Sequence, residues 1–288
     1  MYYGMILLSV FMFGGCFALK DVYRQMRGSG FLISMESATI GAFAGLAVLV
    51  VINGFQLELT PFTFLMALLC AANGVGFSYF SFKALDYINL SVFSLFSMLG
   101  GMLLPSAVGI LFFGESITVA KIVCYILILA ALLLTLSKGK KGGWIWYAGV
   151  FVLNGMSGVL SKIFASAPFE KTSAAGYSIW SALITGCLAG IIWLSLLARK
   201  THSNAKPYSF KAFGISSLSG ATNKIANFLL VLALANVDAS VQYPMVTGGV
   251  MIVSTLICFF GARRPSKKEI LSVGIAFVGM LALFVIPV

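Results

Sequence analysis

A lysine at position 224 stands near the middle of a long apolar stretch, with Asn223 and Asn227 beside it at helical spacing. On a helix these three side chains fall within an arc of about 100°. A charged side chain at the centre of a bilayer costs about 2.5–3.5 kcal/mol on insertion scales, so something must compensate it. A carboxylate partner, a wet cavity or an anionic solute would each do so. The alternative is a lysine that snorkels to the interface, for which a mid-span position gives poor reach. We read Lys224 as lining a cavity, and its charge as pointing to cargo with an anionic or carboxylate group.

Other polar residues recur at helical spacing. Asn154, Ser157, Gly158, Ser161 and Lys162 share one helical face. Small residues also line tight helix interfaces, so Ser157, Gly158 and Ser161 read equally as packing, whereas Asn154 is more polar than packing requires. Tyr243, Thr247 and Ser254 form a second stripe beside Pro244, and Ser94, Ser97, Gly101 and Pro105 a third; Asn73 and Ser81 add polar groups elsewhere. Prolines are tolerated in membrane helices where neighbours or water satisfy the freed carbonyls. The candidate substrate-binding set is therefore Lys224, Asn223, Asn227, Tyr243, Thr247, Asn154, Ser157, Asn73 and Ser97. Glu36 is a candidate for proton coupling, or else an interfacial partner of Arg24 or Arg27. Lys83 and Asp86 are spaced as a surface ion pair, which would contribute little.

The elements that must position these residues follow from composition. Hydrophobic residues make up 60% of the chain and charged ones only 9%, against about 25% charged in soluble domains. Lipid must therefore be the solvent for most of the surface. The apolar runs are Tyr3–Leu19, Phe31–Ile52, Phe62–Leu85, Leu90–Phe113, Val119–Leu136, Trp144–Phe164, Ala174–Leu197, Phe210–Ala235, Ala239–Gly261 and Ile270–Val285. Lipid-exposed backbone is satisfied only in helices or closed barrels, and these runs do not alternate as barrel strands would. The expected fold is an all-α integral membrane protein of ten transmembrane helices. The N-terminal run has no basic leader and reads as the first span, not a cleaved signal.

The net charge of +11 would suggest nucleic acid in a soluble protein, but here the basic residues sit in short loops and no nucleic-acid role is expected. Lys20, Arg24 and Arg27 follow the first run; Lys138, Lys140 and Lys141 the fifth; Arg199, Lys200, Lys206 and Lys211 the seventh; Arg263, Arg264, Lys267 and Lys268 the ninth. The loop Asn53–Pro61 and the turn between the eighth and ninth runs carry no basic residue. Positive-inside reasoning thus places both termini outside the cytoplasm. Cys16, Cys70, Cys124, Cys187 and Cys258 form no close pairs, and His202 lies in a basic loop, so neither disulfides nor a metal site are expected. No phosphate-binding Gly-x-x-x-x-Gly-Lys-[Ser/Thr] occurs, so no cofactor or ATP drive is expected.

The sequence also repeats. Ala84-Leu85, Asn89-Leu90-Ser91-Val92 and Gly100-Gly101-Met102 resemble Ala233-Leu234, Asp238-Ala239-Ser240-Val241 and Gly248-Gly249-Val250-Met251. With a small slip, Phe112-Phe113-Gly114 matches Phe259-Phe260-Gly261, and Lys20 corresponds to Lys162. Residues 1–141 and 142–288 read as two five-helix units. An odd number of spans per unit inverts the second copy, a common build for secondary transporters.

These features resemble the drug/metabolite transporter superfamily, in particular its EamA-like ten-helix members, over nearly the whole chain. The sharpest piece is the run GILFFGESIT from Gly109 to Thr118, with Gly114-Glu115 closing the fourth helix and a hydroxyl three residues on. The second half departs from this, because Gly261 is followed by Ala262, Arg263 and Arg264. From the residues themselves, Glu115 reads as stabilising the start of the fifth helix, with Thr118 as its N-cap. The resemblance implies a secondary carrier working by alternating access, in a bacterial plasma membrane, without fixing its cargo. Its partners would be a small-molecule substrate, a proton or other ion, the lipid bilayer and, as an option, a second copy in a homodimer. A membrane-embedded enzyme or a channel are the alternatives. The first would need clustered acids or a histidine- or cysteine-based set, and the second would show conductance where a carrier shows counterflow.

Overall fold

A computed structural model of the chain describes residues 1–28, 30–88, 90–135, 143–199, 207–260 and 266–286. Lys138, Lys140, Lys141, Lys200, His202, Lys206, Arg263 and Arg264 lie outside them. The described residues form ten α-helices: α1 (Tyr2–Arg27), α2 (Phe31–Ile52), α3 (Pro61–Tyr87), α4 (Leu90–Phe113), α5 (Val119–Thr135), α6 (Trp144–Ser166), α7 (Ala174–Ala198), α8 (Phe210–Leu234), α9 (Ala239–Phe260) and α10 (Lys267–Val285). Eight of them (α1–α4 and α6–α9) are long and apolar enough to cross a membrane; the apolar parts of α5 and α10 are shorter. The fold is all-α, with the helices of an integral membrane protein.

Local chemistry starts these helices where the sequence suggests. Thr60, Ser173 and Ser209 accept from the backbone N–H groups of Thr63, Gly176 and Ala212 and so cap α3, α7 and α8, with Pro61 opening α3. Thr118 accepts from Lys121 N at 3.3 Å and caps α5 as expected. Helix α1 departs most from the sequence reading. It runs to Arg27, beyond the apolar run that ends at Leu19. Its charged last turns are internally compensated: Arg24 pairs with Asp21 at 3.0 Å and with Asp86 at 3.3 Å. Asp86 thus pairs across to α1 instead of with Lys83.

The surface and interior are arranged for an apolar solvent. Helix α1 exposes Leu7, Leu8 and Phe11 while burying Ser9, whose hydroxyl donates to Ala226 O on α8 at 3.1 Å. Comparable apolar side chains, among them Phe64, Leu65, Leu111, Ile126, Ile191 and Leu194, face outward on other helices.

Packing is mainly between the two halves of the sequence. Helix α1 packs on α8 and α9, α2 on α7 and α8, α3 on α6 and α7, and α4 on α6 and α9. Helices α5 and α10 pack on each other. Close approach depends on glycine where α2 meets α8. A Cβ on Gly41 would lie 3.0 Å from the Gly220 Cα, and one on Gly220 would overlap the Gly41 backbone. Gly100 and Gly155 give α4 and α6 the same closeness.

Candidate functional site

The helix contacts leave a central cavity of about 240 Å³, lined by the eight long helices and by neither α5 nor α10. Eight of the nine candidate binding residues reach its wall: Asn73, Asn154, Ser157, Asn223, Lys224, Asn227, Tyr243 and Thr247. The exception is Ser97. Its hydroxyl is fully buried without a hydrogen-bond partner and does not line the cavity. On α4 it is Met98 and Gly101 that face inward, and Ser97 contributes only its carbonyl, which accepts from Asn154 Nδ2 at 2.6 Å. Ser81 and Ser254 instead turn back to carbonyls of their own helices. The side chain of Ser94 is outside the described residues.

Several lining residues also hold helices together. Asn73 Nδ2 donates to Leu153 O at 2.9 Å, joining α3 to α6. Tyr243 donates to Gly158 O at 3.0 Å and Thr247 to Met98 O at 2.9 Å, tying α9 to α6 and α4. Asn227 Nδ2 donates to Asn223 O at 2.8 Å within α8. The polar wall is therefore a fixed lattice of amides and hydroxyls, and packing and lining are not alternatives here.

Lys224 is different. Its stem lies against Gly45 of α2, where a Cβ would overlap it. Lys224 lines the cavity, and among the described residues its ammonium has neither a hydrogen-bond acceptor nor a carboxylate partner. A second lysine also lines the cavity. Lys20 on α1 lies over the rings of Phe77 at 5.1 Å and Phe82 at 5.4 Å, which the sequence reading had as a loop charge. Ser37, Ser178, Ser181 and Thr185 complete polar wall on α2 and α7, helices the sequence reading did not place at the site.

Beyond the cavity lie two buried ion-pair clusters. Arg27 grips Glu36 as a fork, Nε to Oε1 at 3.0 Å and Nη2 to Oε2 at 2.8 Å, with the Tyr23 hydroxyl donating to the same carboxylate. Tyr208, just before α8, stacks over the guanidinium at 4.9 Å. Glu36 thus pairs with Arg27, one of the two partners expected, but in the interior: its side chain is 4% exposed and does not line the cavity.

The second cluster centres on Glu115. Gly114, at φ +68, ends α4 in a conformation open to glycine. The chain turns so that the Glu115 carboxylate lies over Gly109, where a Cβ would be 2.8 Å away. The carboxylate accepts from Lys162 Nζ at 2.6 Å and from the backbone N–H groups of Ala239 and Ser240 at 3.2 and 3.0 Å. Glu115 therefore serves the N-terminus of α9, not that of α5, and its anion sits on the positive end of that helix. Burial raises its carboxyl pKa, but the hydrogen bonds from Lys162 and Ser240 outweigh this and hold it below the usual value. Lys162 shares the helical face of Asn154 and Ser157 but is committed to this pair, outside the cavity.

The clusters lie at opposite ends of the bundle. Hydrogen bonds from Ser9 to Ala226 and from Cys16 to Ser219 run α1 antiparallel to α8, while the contacts of Ser37 with Ser216, Gly41 with Gly220 and Gly45 with Lys224 run α2 parallel to α8. The start of α2 is therefore level with the end of α1. Helix α3 runs with α1, as the Tyr23–Phe82 and Lys20–Phe77 contacts require, and against α6, where Asn73 meets Leu153 and Phe62 stacks on Phe164. The ends of α1 and α6 thus point in opposite directions.

No family model matches this sequence, and no curated protein matches it. A solved structure described as "Crystal structure of protein" is similar in fold, with a TM-score of 0.68 at 16% identity over 96% of this chain and 94% of the other. At that identity the likeness shows the fold alone, and the fold of this chain is one that a solved protein adopts.

Proposed function

We propose that this protein is a secondary transporter of small metabolites, of the EamA-like drug/metabolite type, working by alternating access. The observation that carries the reading is a central cavity with two lysines and several amides and hydroxyls in its wall, inside an outwardly apolar bundle. Its volume of about 240 Å³ lies below the 300–1,000 Å³ of pockets for drug-sized ligands, which favours a small metabolite.

The proposed architecture is ten transmembrane helices in two inverted repeats, α1–α5 and α6–α10. The helix contacts support it, because the principal pairings are unchanged when α1–α5 are exchanged in order with α6–α10. The pairing of α1 with α8 and α9 becomes that of α6 with α3 and α4; α4–α9 and α5–α10 map onto themselves. The opposed directions of α1 and α6 fit an inversion. Loop charge favours termini outside the cytoplasm of a bacterial plasma membrane.

In this mechanism the two ion-pair clusters close opposite ends. Opening one end parts Arg27 from Glu36, and opening the other parts Lys162 from Glu115. Glu36, freed from Arg27, is then placed to take a proton, one of the two roles the sequence reading offered for it.

The test is access to Ser157→Cys in a background lacking the other cysteines, in sealed vesicles. The expected result is modification by a membrane-impermeant thiol reagent from either side, while the vesicles hold an ion gradient. Access from one side only, or collapse of the gradient, would refute alternating access.

A further inference from the structure

We propose that the cavity takes a small organic dianion, with Lys224 and Lys20 each binding one of its acidic groups. The proposal deepens the transport reading and, as a statement about cargo, rests on it.

Charge is the first argument. Among the described residues the cavity lining contains two charged side chains, Lys20 and Lys224, and no carboxylate. Neither ammonium has an anionic partner there. Among the described residues the buried cations are compensated: Arg27 by Glu36, Lys162 by Glu115, and Lys121 by Ser116 O at 2.8 Å. Lys171 reaches three carbonyls at the end of α6. Charges withdrawn from bulk water are paired or hydrogen-bonded as a rule, so two uncompensated, half-buried lysines lining one cavity call for two negative charges from the ligand. A cationic solute would meet like charge on two sides, and a neutral one would leave both lysines uncompensated.

Spacing is the second argument. The register set by Ser9 with Ala226 and Cys16 with Ser219 places Lys224 level with Phe11 of α1. Lys20 is about nine residues further along, or roughly 14 Å at the rise of a helix. Two lysine side chains reaching inward leave a gap that suits acidic groups at the two ends of a short chain, not one compact anion. The faces of Phe77 and Phe82 hold the Lys20 ammonium in place without neutralising it. Beside Lys224 the wall offers Asn223 and Asn227, and towards Lys20 it offers Asn73 and Asn154, amides suited to the polar body of such a ligand. The volume of about 240 Å³ limits that body to a few carbons.

The experiment measures equilibrium binding to purified protein in detergent, by thermal stabilisation and calorimetry. The probes are succinate, glutarate and adipate, the monocarboxylates of matching length, the corresponding diamides, inorganic phosphate and putrescine. We expect at least one dicarboxylate to bind at least tenfold more tightly than its monocarboxylate, with no binding of diamide or putrescine. Lys20→Met and Lys224→Met should each weaken that binding by roughly tenfold to a hundredfold, as loss of a charged hydrogen bond does. Lys20→Arg and Lys224→Arg should retain most of it. The Met variants remove an uncompensated charge and should fold at least as well as wild type, and their unliganded melting curves check this. Equal binding of mono- and dicarboxylates, preference for phosphate, diamide or putrescine, no dicarboxylate binding, or Met variants that bind like wild type would each overturn the proposal. Counterflow in liposomes separates the two readings. Dicarboxylate binding without counterflow keeps this site and refutes the carrier; counterflow of a neutral or cationic solute without dicarboxylate binding does the reverse.

Discussion

Removing the charge of Glu115 should destabilise the bundle more than removing that of its partner Lys162. The two side chains are 5% and 9% exposed, so neither charge has water to fall back on. Glu115→Gln leaves the Lys162 ammonium buried with no anion, and stranding one member of a buried pair costs about 3–5 kcal/mol. Glutamine can still accept one of the N–H groups of Ala239 and Ser240, which places the expected loss near the lower figure. Lys162→Met is milder. The carboxylate keeps both backbone donors and the positive end of α9, a setting worth up to about 2 kcal/mol to an anion, so a loss of about 1–2 kcal/mol is expected. The double variant carries neither charge and should be more stable than Glu115→Gln alone. The assay is reversible unfolding in mixed micelles across the four-member cycle. Single losses that are equal and additive within about 0.5 kcal/mol would show that the two groups do not interact, and the geometry argued here would be wrong.

Three further outcomes follow from the same geometry. The Glu115 carboxyl is depressed in the folded protein, so its contribution is complete above the ordinary value of 4.5 and lost as pH falls through the lower folded value. Melting temperature should fall on the acid side of 4.5 in wild type and less steeply in Glu115→Gln; identical acid limbs would refute the assignment. Gly220→Ala places a methyl against the Gly41 backbone and should cost about 1–3 kcal/mol, read as a lower melting temperature, whereas an unchanged value would show that α2 and α8 do not meet there. Lys224→Met should stabilise the ligand-free protein, by up to about 3.5 kcal/mol if the full insertion cost is relieved; destabilisation would reveal a partner that the ammonium depends on.

The fold was largely legible because lipid leaves so few options: an apolar run too long for a strand must be a helix, and composition located every run. Lys224 was legible for the same reason, since a charge in the middle of such a run stands out. Lys20 was not. It follows Leu19, and a basic residue at the end of a hydropathic run looks like a loop charge. Pairing of Arg24 with Asp86 on α3 and of Arg27 with Glu36 on α2, beside the local Arg24–Asp21 pair, lets the helix continue. Helices α2 and α7 were passed over because Ser37, Ser178, Ser181 and Thr185 are small enough to read as packing. Ser97 failed in the opposite way: it shares a helical face with Gly101, but that face is wide enough for one residue to reach the cavity and the other to stop against α6. The role of Glu115 at α9 joins residues more than a hundred positions apart, and nothing local distinguishes it from an anion at the start of α5.

The most direct test of the transport reading is counterflow in liposomes containing the purified protein. The vesicles are preloaded with a mixture of organic acids, amino acids, sugars and nucleosides and diluted into trace labelled forms of each. Saturable, transient accumulation of at least one solute, together with the absence of single-channel conductance, is the predicted result. Entry of every solute at the rate of protein-free vesicles, or an ionic conductance in place of exchange, would contradict it.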